Sequence, residues 1–75
     1  MIMVYTLILD NDELRVYQVA SDCDEGTITV DKQTHKANSR GQFSSMFSKN
    51  FIENLVIGTL KFKENPPKEF TYGVG

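Results

Sequence analysis

Two short runs in this 75-residue chain gather side chains that catalysis and metal binding most often use. Asp10-Asn11-Asp12-Glu13 and Asp22-Cys23-Asp24-Glu25 share the pattern Asp-x-Asp-Glu and lie twelve residues apart. Carboxylates grouped in this way could hold a divalent cation or divide acid and base roles between them. The calcium-loop template fails, however. Counted from Asp22, the sixth position is Thr27 where glycine is required, and the twelfth is Gln33 where glutamate is required. A strand of eight residues spans about 26 Å, so successive turns of a meander fall at opposite ends of a sheet and these two runs cannot share one site. Both are expected to be solvated hairpin turns.

The other reactive residues fare no better. Cys23 is the only cysteine, so no disulfide forms within the chain, and the acids around it disfavour the thiolate that reacts. With His35 as the only histidine, twelve residues away, a closed zinc site is not expected either. Ser39, Ser44, Ser45 and Ser48 offer hydroxyls but no strained nucleophile motif. No catalytic residue, metal site or cofactor is expected, and the chain reads as a non-enzyme.

Charge is unevenly spread. Residues 1–31 carry seven acids against Arg15, a balance of −6, and residues 32–75 carry seven bases against three acids, a balance of +4. Such asymmetry marks either an ionic partner or two sides of a fold that attract each other. Residues 32–49 hold Lys32, Lys36, Arg40, Lys49 and His35 with no acid. With Ser39 read as a helix N-cap, Lys32, Lys36, Ser39 and Arg40 form a candidate anion-binding group, because free N–H groups and the helix dipole favour anions. Phosphate contacts of that kind would give salt-sensitive nucleic-acid binding.

The elements that must position these groups follow from periodicity. Residues 1–9 read as a strand, Asp10-Asn11-Asp12 as a turn, and residues 13–20 as a second strand in a hairpin with the first. Residues 21–26 form another acidic turn and residues 27–30 a short third strand. Residues 32–38 read as loop, with a short strand around residues 34–36 as the alternative. After Ser39, the stripe Phe43, Met46, Phe47, Phe51 and Leu55 at spacings of three and four marks an amphipathic helix ending between Asn50 and Asn54. From Leu55 to Lys63 alternation suggests a strand, stopped by Pro66 and Pro67, and Phe70, Tyr72 and Val74 alternate in a last one. The expectation is a single α+β domain over residues 1–75: a small antiparallel sheet with one helix on one face, in the order βββ-α-ββ.

The first strand is apolar on both faces, with Ile2, Val4 and Ile8 on one and Met3, Tyr5, Leu7 and Leu9 on the other. One helix covers one side of a sheet, so the other side is left to a partner. Tyr5, Leu7, Tyr17 and Val19 are the expected protein interface, since tyrosines are enriched in such surfaces. The acidic turns (Asp10, Asp12, Glu13, Asp22, Asp24, Glu25) would steer a basic partner. The reading is a small modulator or inhibitor of bacterial or phage type, binding a protein partner or a second copy of itself. Nucleic-acid binding through residues 32–49 is the alternative. The apolar N-terminal run is too short to span a bilayer, and an unpaired cysteine without an export signal leads to an expectation of the cytoplasm and no membrane.

Overall fold

Segments of alternating β-branched and aromatic residues, broken by Asp- and Asn-rich turns, fold into a meander in the computed structural model, which describes residues 2–22, 24–43 and 48–73. The strands are β1 (Ile2–Asp10), β2 (Leu14–Ala20), β3 (Glu25–Asp31) and β4 (Ala37–Gln42). The helix α1 (Lys49–Gly58), a 3-10 turn (Thr59–Lys61) and a last strand, β5 (Glu69–Gly73), complete the order. All strand pairs are antiparallel, and the spatial order is β4-β3-β2-β1-β5. The fold is thus a small α+β one, an antiparallel sheet with a single helix packed on it. Four strands precede the helix and one follows, against the three and two anticipated.

Turn chemistry fixes the hairpins. Asn11 Oδ1 accepts from the backbone N–H groups of Glu13 and Leu14, each at 2.8 Å. Asp31 Oδ1 does the same for Gln33 and Thr34 at 2.8 and 3.2 Å. In the second turn Asp24 N–H donates to Ser21 Oγ at 3.1 Å. Side-chain oxygens here replace the backbone partners that a turn forfeits.

Ser48, not Ser39, caps the helix: its Oγ accepts from Phe51 N–H at 3.2 Å. Ser39 instead lies in the middle of β4, paired with Ile28, and Ala37 pairs with Val30. Ala37 and Ser39 therefore share the face of Ile28 and Val30. Their small side chains leave room for α1, which packs more extensively on β4 than on any other strand. The segment from Leu55 is not a strand either. Ile52, Leu55, Val56 and Thr59 recur at three and four residues, and this helical stripe prevails over the alternation of Val56, Gly58, Leu60 and Phe62. Met46 and Phe47 of the anticipated stripe, Ser44 and Ser45, and Cys23, lie outside the described residues.

The core consists of Met3, Tyr5, Tyr17, Val19, Ile28, Val30, Ile52 and Val56. Tyr5, Tyr17 and Val19 are thus buried and Leu7 packs against them, so these four lie on the helix-covered face and not on the uncovered one anticipated. The reason is register. Tyr17 pairs with Ile28 and Val19 with Gly26, which puts the apolar residues of β3 in phase with Tyr5, Leu7, Tyr17 and Val19 beneath the helix. Phe70 of β5 closes this face: its ring stacks on Tyr5 with centroids 4.5 Å apart and meets Tyr17 edge-on at 5.2 Å. At the far end of the meander, Gly26 pairs with Gly41, and a side chain on Gly26 would sit about 2.5 Å from the Phe43 ring. Gly41 has φ +125°, where a side chain is rarely tolerated.

The Tyr17 hydroxyl donates to Pro67 O at 2.5 Å, whereas the buried Tyr5 hydroxyl has no hydrogen-bond partner among the described residues. Burial pushes Tyr5 up from 10.0 to about 12. A phenol that ionises less readily when folded supports the fold below pH 10.0, and that support is lost as pH rises through about 12. Tyr5→Phe removes an unsatisfied buried hydroxyl and is expected to stabilise by about 1 kcal/mol. The gain should widen above about pH 10. Thermal unfolding at neutral and alkaline pH checks both; a variant less stable than the parent at pH 7 would show that the hydroxyl is satisfied.

Candidate functional site

Strict alternation along β1 would put Leu9 on the helix side and Asp10 on the open side. A β-bulge between Leu7 and Leu9 reverses this: Leu7 pairs with Tyr17, Leu9 with Val16, and Asp10 with Arg15. One extra residue in a strand re-aims every side chain beyond it. Asp10 thereby reaches the helix side, where Arg15 lies 1% exposed in line with Tyr17 and Val19.

Arg15 is held from three elements. Nε donates to Asp10 Oδ1 at 2.8 Å, and Nη2 to Asp10 Oδ2 at 3.5 Å. Nη1 donates to Thr59 O at 2.5 Å and to Thr59 Oγ1 at 3.3 Å, and Nη2 also reaches Phe62 O at 2.8 Å. The guanidinium thus adds a second donor to Thr59 O, which also accepts from Phe62 N–H at 2.9 Å, and satisfies Phe62 O beyond the 3-10 turn. Lys32 Nζ makes a second ion pair with Asp10 at 2.8 Å. Burial alone would raise the Asp10 carboxyl, but the hydrogen bonds and charges of Arg15 and Lys32 outweigh it and hold the group below 3.8.

Beside this cluster opens a cleft of about 610 Å³ between the β3–β4 hairpin and the end of the helix. Ile57, Gly58 and Leu60 form its apolar wall, and Arg15, Lys32, His35, Lys61 and Lys63 its basic groups. His35 has φ 60°, a left-handed conformation that a residue other than glycine rarely adopts. Its N–H bonds Asp31 O at 2.9 Å, which closes the hairpin tip.

The sheet face away from the helix is the other candidate. Register places Ile2, Val4 and Leu9 of β1 and Leu14, Val16 and Ala20 of β2 on it. Ile2 and Leu9 are 60% and 45% exposed, and Ile8 at the bulge is 53% exposed. Around them the strand positions of this face carry Glu25, Asp31 and Glu69 against Arg40.

The residues singled out by sequence are scattered. The two acidic turns stand at opposite ends of β2. Asp12, Glu13, Asp22 and Glu25 are exposed, Asp10 is paired, and Asp24 is buried at 3% rather than solvated. Lys32, Lys36, Ser39 and Arg40 do not form one group. Lys32 is tied to Asp10, Ser39 faces the helix from the middle of β4, Arg40 lies on the opposite face, and the helix is capped by Ser48 and not by Ser39. Lys61 and Lys63 come next to Lys32 only through the fold, because they follow a helix and not a strand. Arg15 could have been found earlier, as a charged residue at an apolar position in phase with Tyr17 and Val19.

Among the described residues no three His, Cys, Asp or Glu side chains converge to hold a metal ion, and no helix is long and apolar enough to cross a membrane. No family model, curated protein or solved structure matches this chain.

Arg15→Met leaves Asp10 without its main counter-charge and takes a charged donor from the Thr59 and Phe62 carbonyls. It is expected to cost about 3 kcal/mol, read as a lowered urea midpoint. A carboxyl whose value is lowered in the fold adds stability above its unfolded value, and this is lost as pH falls through the lowered one. Asp10→Asn should therefore flatten the fall in stability between about pH 5 and pH 2. His35→Gly should stabilise by about 1 kcal/mol by removing the left-handed strain; a thermal scan showing no gain would mean that the imidazole makes compensating contacts.

Proposed function

We propose that the chain is a small non-enzymatic protein-binding module that works through its open sheet face. The observation that carries this reading is the exposed group Ile2, Ile8 and Leu9, which shares the open face with Val4, Leu14, Val16 and Ala20 on either side of the Thr6–Gln18 pair. Apolar side chains gathered on one exposed face are costly to leave in water and mark docking sites. The residues concerned are the complement of Tyr5, Leu7, Tyr17 and Val19, so the mode of binding stays while the face changes.

The occupant we infer is a different protein, apolar at its centre and basic at its rim. Charge supports this choice. The strand positions of the face carry three acids and one base, and Asp12, Glu13 and Asp22 stand exposed at the sheet ends. Two identical copies would bring like-charged rims together, which is unfavourable, whereas a basic partner is attracted and steered. In this role the chain acts as a modulator or inhibitor by covering the partner's surface, with no chemistry of its own.

Light scattering coupled to size exclusion should find a monomer at low and high salt. A partner retained by the immobilised chain should re-form the complex from purified components. Leu9→Lys should weaken that complex by at least about tenfold without changing the melting temperature. A homodimer that Leu9→Lys dissociates would assign the face to a second copy and overturn the inferred partner. A complex indifferent to Leu9→Lys would overturn the face itself.

A further inference from the structure

The cleft beside Arg15 has a composition that the protein-binding reading leaves unused. Five basic side chains line it, and no acidic residue does so among those described. Of the acids near it, Asp10 is already shared between Arg15 and Lys32. No carboxylate pairs with Lys61, Lys63 or the His35 imidazole among the described residues; Lys61 lies over the Phe62 ring at 5.2 Å. Like charges gathered on one wall repel each other, and a bound anion relieves that repulsion. The helix end would ordinarily present bare carbonyls here and repel an anion. Arg15 cancels that field by bonding Thr59 O and Phe62 O.

The same groups narrow the ligand. The fork of Arg15, which would favour a flat carboxylate, is spent inside the protein on Asp10 and the two carbonyls. The lysines that line the cleft are instead point charges, which respond to total charge rather than to planar shape. A phosphate monoester carries about −1.5 to −2 at neutral pH and gains most from them. Ile57 and Leu60 supply an apolar wall, and about 610 Å³ is the size of a small-molecule site.

We propose that this cleft binds a small phosphate monoester with an apolar body, the phosphate held by Lys32, Lys61 and Lys63 and the body lying against Ile57 and Leu60. His35 also lines the cleft, its backbone held in the left-handed turn by the hydrogen bond from its N–H to Asp31 O. This site is separate from the open sheet face, and either assignment stands without the other.

Titration of the isotope-labelled full chain, followed by amide chemical shifts, tests it with phenyl phosphate, inorganic phosphate, phenol and benzoate as probes. Phenyl phosphate should move the amides of Lys32, His35, Gly58 and Lys61 and bind at least about tenfold more tightly than any of the other three. Lys61→Glu with Lys63→Glu should weaken it by at least about tenfold and Lys63→Gln by a smaller factor, whereas Lys49→Glu, at the far end of the helix, should leave it unchanged. Inorganic phosphate binding as well as phenyl phosphate would remove the apolar wall from the proposal, and benzoate doing so would remove the preference for phosphate; either overturns it. Equal weakening by Lys49→Glu would show a diffuse charge effect and overturn the site. An oligonucleotide without terminal phosphate that binds more tightly than phenyl phosphate would reassign the basic groups to a nucleic-acid backbone.

Discussion

A guanidinium taken out of water must find partners for all five of its N–H donors, or the fold pays several kcal/mol for it. Arg15 meets that demand by drawing together parts of the chain that share no strand pairing: Asp10 at the end of β1, Thr59 at the end of the helix, and Phe62 beyond it. Much of the surrounding geometry follows. The bulge in β1 exists in the right place to deliver Asp10. The helix ends where its last carbonyls can be received, and Thr59, bonded to Val56 O through its own hydroxyl at 2.7 Å, holds that end in register. The aromatic cluster of Tyr5, Tyr17 and Phe70 fills the space on one side of this polar knot, and the cleft opens on the other.

The knot also explains part of the charge imbalance along the chain. The single base of the acidic half goes to an acid of the same half, and Lys32 from the basic half joins them. That connection is intramolecular and unavailable to a partner. What remains is a polarised surface, with acids around the open sheet face and lysines around the cleft, so the two candidate sites favour partners of opposite sign.

The α+β class, the first three strands and the two acidic turns were legible because period-two alternation and Asp/Asn turn chemistry act over a few residues. The third hairpin was not. β4 is Ala-Asn-Ser-Arg-Gly-Gln, with no apolar alternation to read, and it is a strand because β3 offers it a ladder and the helix needs small residues beneath it. The helix was displaced for a related reason: Ser39 and Ser48 have equal local claims to be an N-cap, and only tertiary packing of Ile52 and Val56 separates them. The choice of buried face needed one further step, since β1 is apolar on both sides. The hairpin register to Ile28 and Val30, with Thr27 and Thr29 opposite, carried that information. The cleft lay beyond reach altogether, because Lys32 and Lys61 meet only once the helix has crossed the sheet.

The spatial order β4-β3-β2-β1-β5 has a consequence for how the chain is made. Three of the four strand pairings join neighbours in sequence, so their loop-closure cost is small and they can form as soon as each hairpin is complete. The fourth unites the first strand with the last, Tyr5 opposite Phe70. During synthesis β1 is therefore an edge strand until β5 has been made, with its unpaired backbone groups and the flank of Tyr5 open to any other strand nearby. Sheet completion waits for β5, and a chain truncated before Phe70 would present the edge most apt to pair with a neighbouring molecule.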